Sequence, residues 1–204
     1  MISKEIARTL LREKAVFLRP HDPFTWTSGI KSPVYCDNRL LISTVEAREI
    51  IVEAFCTEIK KLNVDIITGT ATAGIPWAAF IAQKLGLPMA YVRSSSKDHG
   101  RQNAIEGKVS RGMKTVLMED LISTGKSSIA AARKLEEEGV EVTKIFALFT
   151  YGFAEADKVF VDAGFSYQSL TNFDILAQVA FDDQMLDKAT LDQVLNWRRS
   201  VTFP

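Results

Sequence analysis

Apolar positions along the chain change period several times, and those changes divide it into helices and strands. Ile2, Ile6, Leu10 and Leu11 recur at helical spacing and predict an amphipathic helix over residues 2–16. Residues 20–33 interrupt the pattern with Pro, Gly and Ser and predict short strands and turns, a cap rather than part of the main alternation. A helix is expected over 44–61, with Val45, Ile50, Ile51, Ala54, Phe55 and Ile59 on its apolar face. Short β-type runs then alternate with helical ones. Strands are expected over 64–68, 87–92, 115–118, 140–149 and 165–170, helices over 76–85, 126–138 and 154–163, and a closing helix over 187–198. Pro76 falls early in its helix, where a missing N–H costs least, and Gly139 suits a helix stop. Such alternation predicts an α/β domain with a mostly parallel sheet covered on both faces.

Length and composition narrow the class. At 204 residues the chain suits one domain over 1–204 with a substantial core, and no repeat or linker divides it. With 47% hydrophobic and 25% charged residues it reads as globular. The 25 basic residues balance the 25 acidic ones, which leaves no general attraction to nucleic acid. No apolar run approaches the roughly 20 residues that cross a bilayer. Lys4 and Glu5 put charge where a signal peptide would be apolar. Cys36 and Cys56 make neither a disulfide framework nor a metal cluster. A cytoplasmic protein with free thiols is expected.

Three loops carry the chemistry. In the first, Val116-Leu117-Met118-Glu119-Asp120-Leu121-Ile122-Ser123-Thr124-Gly125-Lys126-Ser127-Ser128, an apolar run ends in two carboxylates and a small-residue turn before a helix. Backbone N–H groups at such a helix start bind anions, and the carboxylates can accept hydrogen bonds from sugar hydroxyls. Ser123 and Thr124 also suit a plain helix cap. A nucleotide P-loop fails in register, because the position five before Gly125 is Asp120, where that motif needs glycine. The second loop, Gly69-Thr70-Ala71-Thr72-Ala73-Gly74, lets a ligand approach the backbone. The third, residues 93–108, is long and polar and concentrates Arg93, Lys97, His99 and Arg101. Cations there can stabilise charge developing on an anionic leaving group. Together the loops ask for a sugar with a phosphate at one end and a pyrophosphate at the other.

These motifs resemble those of the type I phosphoribosyltransferases. Residues 116–128 resemble that family's binding motif for 5-phosphoribosyl 1-diphosphate (PRPP). More narrowly, Tyr91-Val92-Arg93, Lys97-Asp98-His99-Gly100 and Ile105-Glu106-Gly107 resemble the catalytic loop of the orotate phosphoribosyltransferases. Residues 24–33 resemble their N-terminal substrate segment, and residues 69–76 their pyrophosphate loop. The resemblance implies a central mostly parallel sheet flanked by helices, with a small N-terminal hood built largely from residues 1–40 and the C-terminal segment. It implies transfer of the phosphoribosyl group to orotate, with Mg²⁺ held mainly by substrate and water rather than by protein ligands. It further implies a homodimer whose residues 93–101 are shared across subunits.

By the same resemblance Arg93, Lys97 and His99 are the catalytic residues. Glu119, Asp120, Leu121, Ile122, Ser123, Thr124, Gly125, Lys126 and Ser127, with Thr70 and Ala71, bind the diphosphate sugar. Ser123, Lys31 and Tyr35 hold the orotate. Ser94 and Thr27 stand where some members carry lysine, and Lys31 and Arg101 are the candidate replacements. Transfer to another base, or a regulator on the same fold, are the competing readings. The neutral chain shows no nucleic-acid face for the second.

Overall fold

The computed structural model describes residues 2–26, 30–94 and 104–202. Helix α1 (Ile2–Arg12) leads into four short strands, β1 (Val16–Leu18), β2 (Phe24–Thr25), β3 (Lys31–Ser32) and β4 (Val34–Cys36). β1 pairs antiparallel with β4 and β2 with β3, forming the cap that the Pro- and Gly-rich composition predicts. A 3₁₀ turn (Asn38–Ile42) and α2 (Val45–Ile59) follow. Then come β5 (Ile66–Thr70), α3 (Gly74–Leu85), β6 (Met89–Val92), β7 (Ile105–Glu106) and β8 (Lys114–Ile122). The chain closes with α4 (Lys126–Glu137), β9 (Glu141–Thr150), α5 (Ala154–Ala163), β10 (Tyr167–Asn172), α6 (Phe173–Asp182) and α7 (Lys188–Ser200).

The main sheet has six strands in the order β10-β9-β8-β5-β6-β7, and all pairs are parallel except β6 with β7. Chain order runs one way from β5 to β6 and the other way from β8 through β9 to β10. The two directions part between β5 and β8, and in open α/β sheets ligands bind outside the strand ends at such a point. Alternation along β8 sorts its side chains to two cores. Val116 and Met118 join one with residues of α1, α2, α3, α6 and α7. Leu117 joins the other with Ala131, Ala132 and Leu135 of α4 and Ala156 and Phe160 of α5.

Several expected boundaries move. The first helix stops at Arg12 rather than residue 16, because Lys14 takes a left-handed φ of 53°. Ala15 N–H then bonds back to Leu10 O, so Val16 is free to open a strand. The strand expected over 64–68 lies at Ile66–Thr70, which takes Gly69 and Thr70 out of the loop and into the sheet. The strand expected over 115–118 continues to Ile122, so Glu119, Asp120, Leu121 and Ile122 are strand residues rather than turn residues.

Candidate active site

Two glycines bring the second loop, residues 69–74, against β8. A Cβ on Gly74 would lie 2.2 Å from Met118 O, and one on Gly69 would lie 2.8 Å from Gly74 O. Only glycines allow α3 to start this close to the carboxylate strand. α3 starts after its N-cap Ala73 with no side-chain cap. Ile75 N–H donates to Thr72 O at 3.3 Å and Pro76 has no N–H, so the Gly74 amide is the first-turn donor left for another partner. Thr70 Oγ1 is buried and has no hydrogen-bond partner among the described residues. The Ala71 amide is less free than expected: it donates to Val92 O at 2.8 Å, tying the loop to β6. The Ala71–Thr72 peptide is cis.

The carboxylates divide by face. Glu119, two residues beyond Leu117, turns toward α4 and is 5% exposed. Its Oε2 accepts from Ser128 Oγ at 3.2 Å and its Oε1 from Asp120 N–H at 3.1 Å. Burial, and then the adjacent Asp120 charge, push Glu119 up to about 8. Burial also raises Asp120, which is only half-buried and so the more accessible of the two. Ile122 is buried, and its carbonyl accepts from Thr150 Oγ1 and Tyr151 N–H. Leu121 is half-buried in the strand. The turn itself is therefore Ser123, Thr124 and Gly125, with Lys126 and Ser127 opening α4. Gly125 has φ 78°, and a Cβ there would lie 2.5 Å from Phe160. As the N-cap it offers no side chain, so α4 also starts uncapped.

On the cap, Lys31 is exposed on β3 and Tyr35 is 40% exposed on β4. The Phe24 ring lies 5.5 Å from that of Tyr35. Trp26 meets Tyr151 at 5.1 Å and Trp197 at 5.9 Å, and Trp197 Nε1 donates to Lys31 O. An aromatic cluster thus joins the cap, the end of β9 and α7. Arg93 follows β6, with its guanidinium 3.4 Å from Glu106 Oε1. Its carbonyl accepts from Lys134 Nζ of α4 at 2.7 Å. Lys97, His99, Arg101 and Thr27 lie outside the described residues.

Three contributors escaped the sequence reading: Ser128 beneath Glu119, Lys134 beneath Arg93, and Asn38, whose Nδ2 donates to Asp120 O at 2.8 Å. Ser128 ends the quoted motif and could have been read one helical turn into α4. Asn38 and Lys134 act over 82 and 41 positions, with no local pattern to mark them. The apolar groove lined by Ile2, Ile50, Ala54 and Leu170 shares no residue with this site.

A family model described as phosphoribosyl transferase domain matches residues 41–184. An orotate phosphoribosyltransferase of Listeria monocytogenes serotype 4b is 47% identical over 201 residues, spanning 98% of this chain and 96% of that one. Another, from Coxiella burnetii, is 49% identical over 197 residues, spanning 96% and 94%. The crystal structure of orotate phosphoribosyltransferase from Aeropyrum pernix superimposes with a TM-score of 0.76 at 26% identity, covering 89% of this chain and 99% of that one.

Proposed function

Since this chain belongs to the phosphoribosyl transferase family, among its orotate phosphoribosyltransferases, we infer that it moves the phosphoribosyl group of PRPP onto orotate. The products are orotidine 5′-monophosphate and pyrophosphate, a step of pyrimidine nucleotide synthesis. The observation that carries this reading is the meeting of two uncapped helix starts, α3 and α4, around one carboxylate pair where strand order reverses. Each helix start offers an N–H donor and the positive end of a dipole to an anion. A ligand with an anion at both ends and hydroxyls between them fits that arrangement.

The 5′-phosphate would sit on residues 123–127, supported from the strand by Leu121 and Ile122. The diphosphate would lie against residues 70–73, with the Thr70 hydroxyl as a donor. Ribose hydroxyls would donate to Asp120 and, with its proton released, to Glu119. As the bond from the anomeric carbon to pyrophosphate lengthens, positive charge grows on the ribose beside Asp120 and negative charge on the leaving group. Arg93, Lys97 and His99 would stabilise the leaving group, and His99 suits a proton or hydrogen bond to it. Arg93 would exchange its Glu106 partner for the diphosphate.

Mg²⁺ fits this donor set as an ion carried by the substrate. Among the described residues no group of three or more His, Cys, Asp or Glu is placed to hold a metal, and substrate and water oxygens are the usual ligands of Mg²⁺ at phosphates. When bound, the ion neutralises diphosphate charge. Lys31, Tyr35 and Ser123 would hold the orotate. A homodimer that shares residues 93–101 and a cytoplasmic location complete the proposal; among the described residues no helix is long and apolar enough to cross a membrane.

Loss of orotate absorbance with purified protein, PRPP and Mg²⁺ tests the reading. Turnover should need every component and fall by about 100-fold or more in Lys97→Ala. Binding of PRPP without orotate consumption would overturn orotate in favour of another base. Lys31→Ala should raise KM for orotate; an unchanged KM would remove Lys31 from the base site.

A further inference from the structure

Cys36 and Asn38 take no part in the chemistry above, yet they stand between the base-holding cap and the carboxylate strand. Cys36 ends β4, next to Tyr35. Its thiol donates to Asn38 Oδ1 at 3.2 Å, and Asn38 Nδ2 donates to Asp120 O at 2.8 Å. Asn38 is 1% exposed, so both ends of its amide need protein partners. The thiol is the donor and takes the amide oxygen, which leaves the amide nitrogen for the Asp120 carbonyl. One orientation of the amide satisfies both. Burial, aided by Asp120 and Asp37, raises the Cys36 thiol well above its ordinary range and keeps its proton in place.

The location gives the pair its consequence. β5 pairs with β8 only as far as Gly69 opposite Met118, and Asn38 supplies a bond to β8 two residues beyond. The end of β8 that carries Asp120 is thus paired with β9 on one edge, through Ile122 opposite Thr150. On the edge that β5 has left it is held by the cap, through the turn that follows the strand presenting Tyr35. We propose that Cys36 and Asn38 form a thiol–amide relay that positions Asp120 relative to β4, keeping the ribose-facing carboxylate and the base platform at one spacing. The relay rests on the reading of Asp120 as a ribose contact. Both members are positioning residues, and neither touches substrate.

A double-mutant cycle tests it. Asn38→Ala and Asp120→Asn are made singly and together, and kcat, KM for each substrate and Tm are measured. Asn38→Ala should lower kcat/KM about tenfold, the scale of one lost buried hydrogen bond. In the Asp120→Asn background the same change should cost less than about twofold, because the carboxylate it positions is gone. Cys36→Ala should act in the same direction, and Cys36→Ser, which keeps a donor, should restore most of the loss. Equal losses in both backgrounds, or losses that follow Tm alone, would overturn the relay. Should Asn38→Ala not fold, Cys36→Ala against Cys36→Ser carries the same comparison with the amide in place. Turnover of orotate by the wild type tests the functional reading separately. Calorimetric titration with PRPP and Mg²⁺ carries the cycle whether or not that turnover occurs.

Discussion

Glu119 is buried beside Asp120, and burial, with that neighbouring charge, raises the pKa of its carboxyl. Its folded-state value, about 8, lies above the ordinary glutamate value near 4.3. The folded protein therefore holds a proton there that the unfolded chain releases. Stability from this group is full below about pH 4 and is lost as pH rises through about 8. Thermal unfolding from pH 5 to 9 should thus fall more steeply for the wild type than for Glu119→Gln, and parallel curves would refute the assignment. Hydroxyl donors of a bound sugar favour the ionised carboxylate. PRPP affinity of the wild type, relative to Glu119→Gln, should rise by up to about tenfold per pH unit approaching 8. A constant ratio would mean that Glu119 does not meet the sugar. The sequence made this pair legible because Glu119 and Asp120 are adjacent and bounded by an apolar run and a glycine turn. It could not show that one faces α4 and the other the cap, since that depends on how far β8 runs.

At the scale of elements, the alternation of strands and helices was readable, and the strand starts erred in one recurrent way. Leu87, Val140 and Phe165 look like first strand residues, but each follows a left-handed glycine and bonds back into the preceding helix. Leu87 N–H donates to Ala82 O, Val140 N–H to Leu135 O and Phe165 N–H to Phe160 O. These are helix-closing Schellman bonds whose apolar residue packs on the helix it ends. Ala15 does the same after Lys14, where no glycine gives warning. Helix α6 went unread for the opposite reason: β10 passes into it at Asn172 with no Gly or Pro between them, and the Asn172 side chain caps it. The contact of α3 with β8 gives a prediction at this scale. Gly74→Ala would place a methyl against the Met118 carbonyl, which is backbone and cannot step aside. The cost should be about 1–3 kcal/mol, a fall in Tm of roughly 2–12 °C, with a raised KM for PRPP. A wild-type Tm would show that α3 does not rest on the strand.

Over the whole molecule, the cap is closed by the other end of the chain. Trp197 of α7 packs edge-on against Trp26 and Phe153 and donates to Lys31 O. No local pattern links residues 26, 31 and 197, so the sequence could supply the aromatics but not their meeting. Trp197→Ala should lower stability by about 1–3 kcal/mol, since the ring is half-buried, and raise KM for orotate more than KM for PRPP. Equal changes in the two constants would confine α7 to a stabilising role. A similar long-range tie joins α4 to the chain leaving β6: Lys134 Nζ holds the carbonyls of Arg93 and Ser94. The helix that opens at the turn proposed for the 5′-phosphate is thus also the fastening point for Arg93 and Ser94, where the chain leaves β6. An engineer who swapped the segment after β6 for a relative's version would be transplanting half of a clasp, and position 134 would have to travel with it.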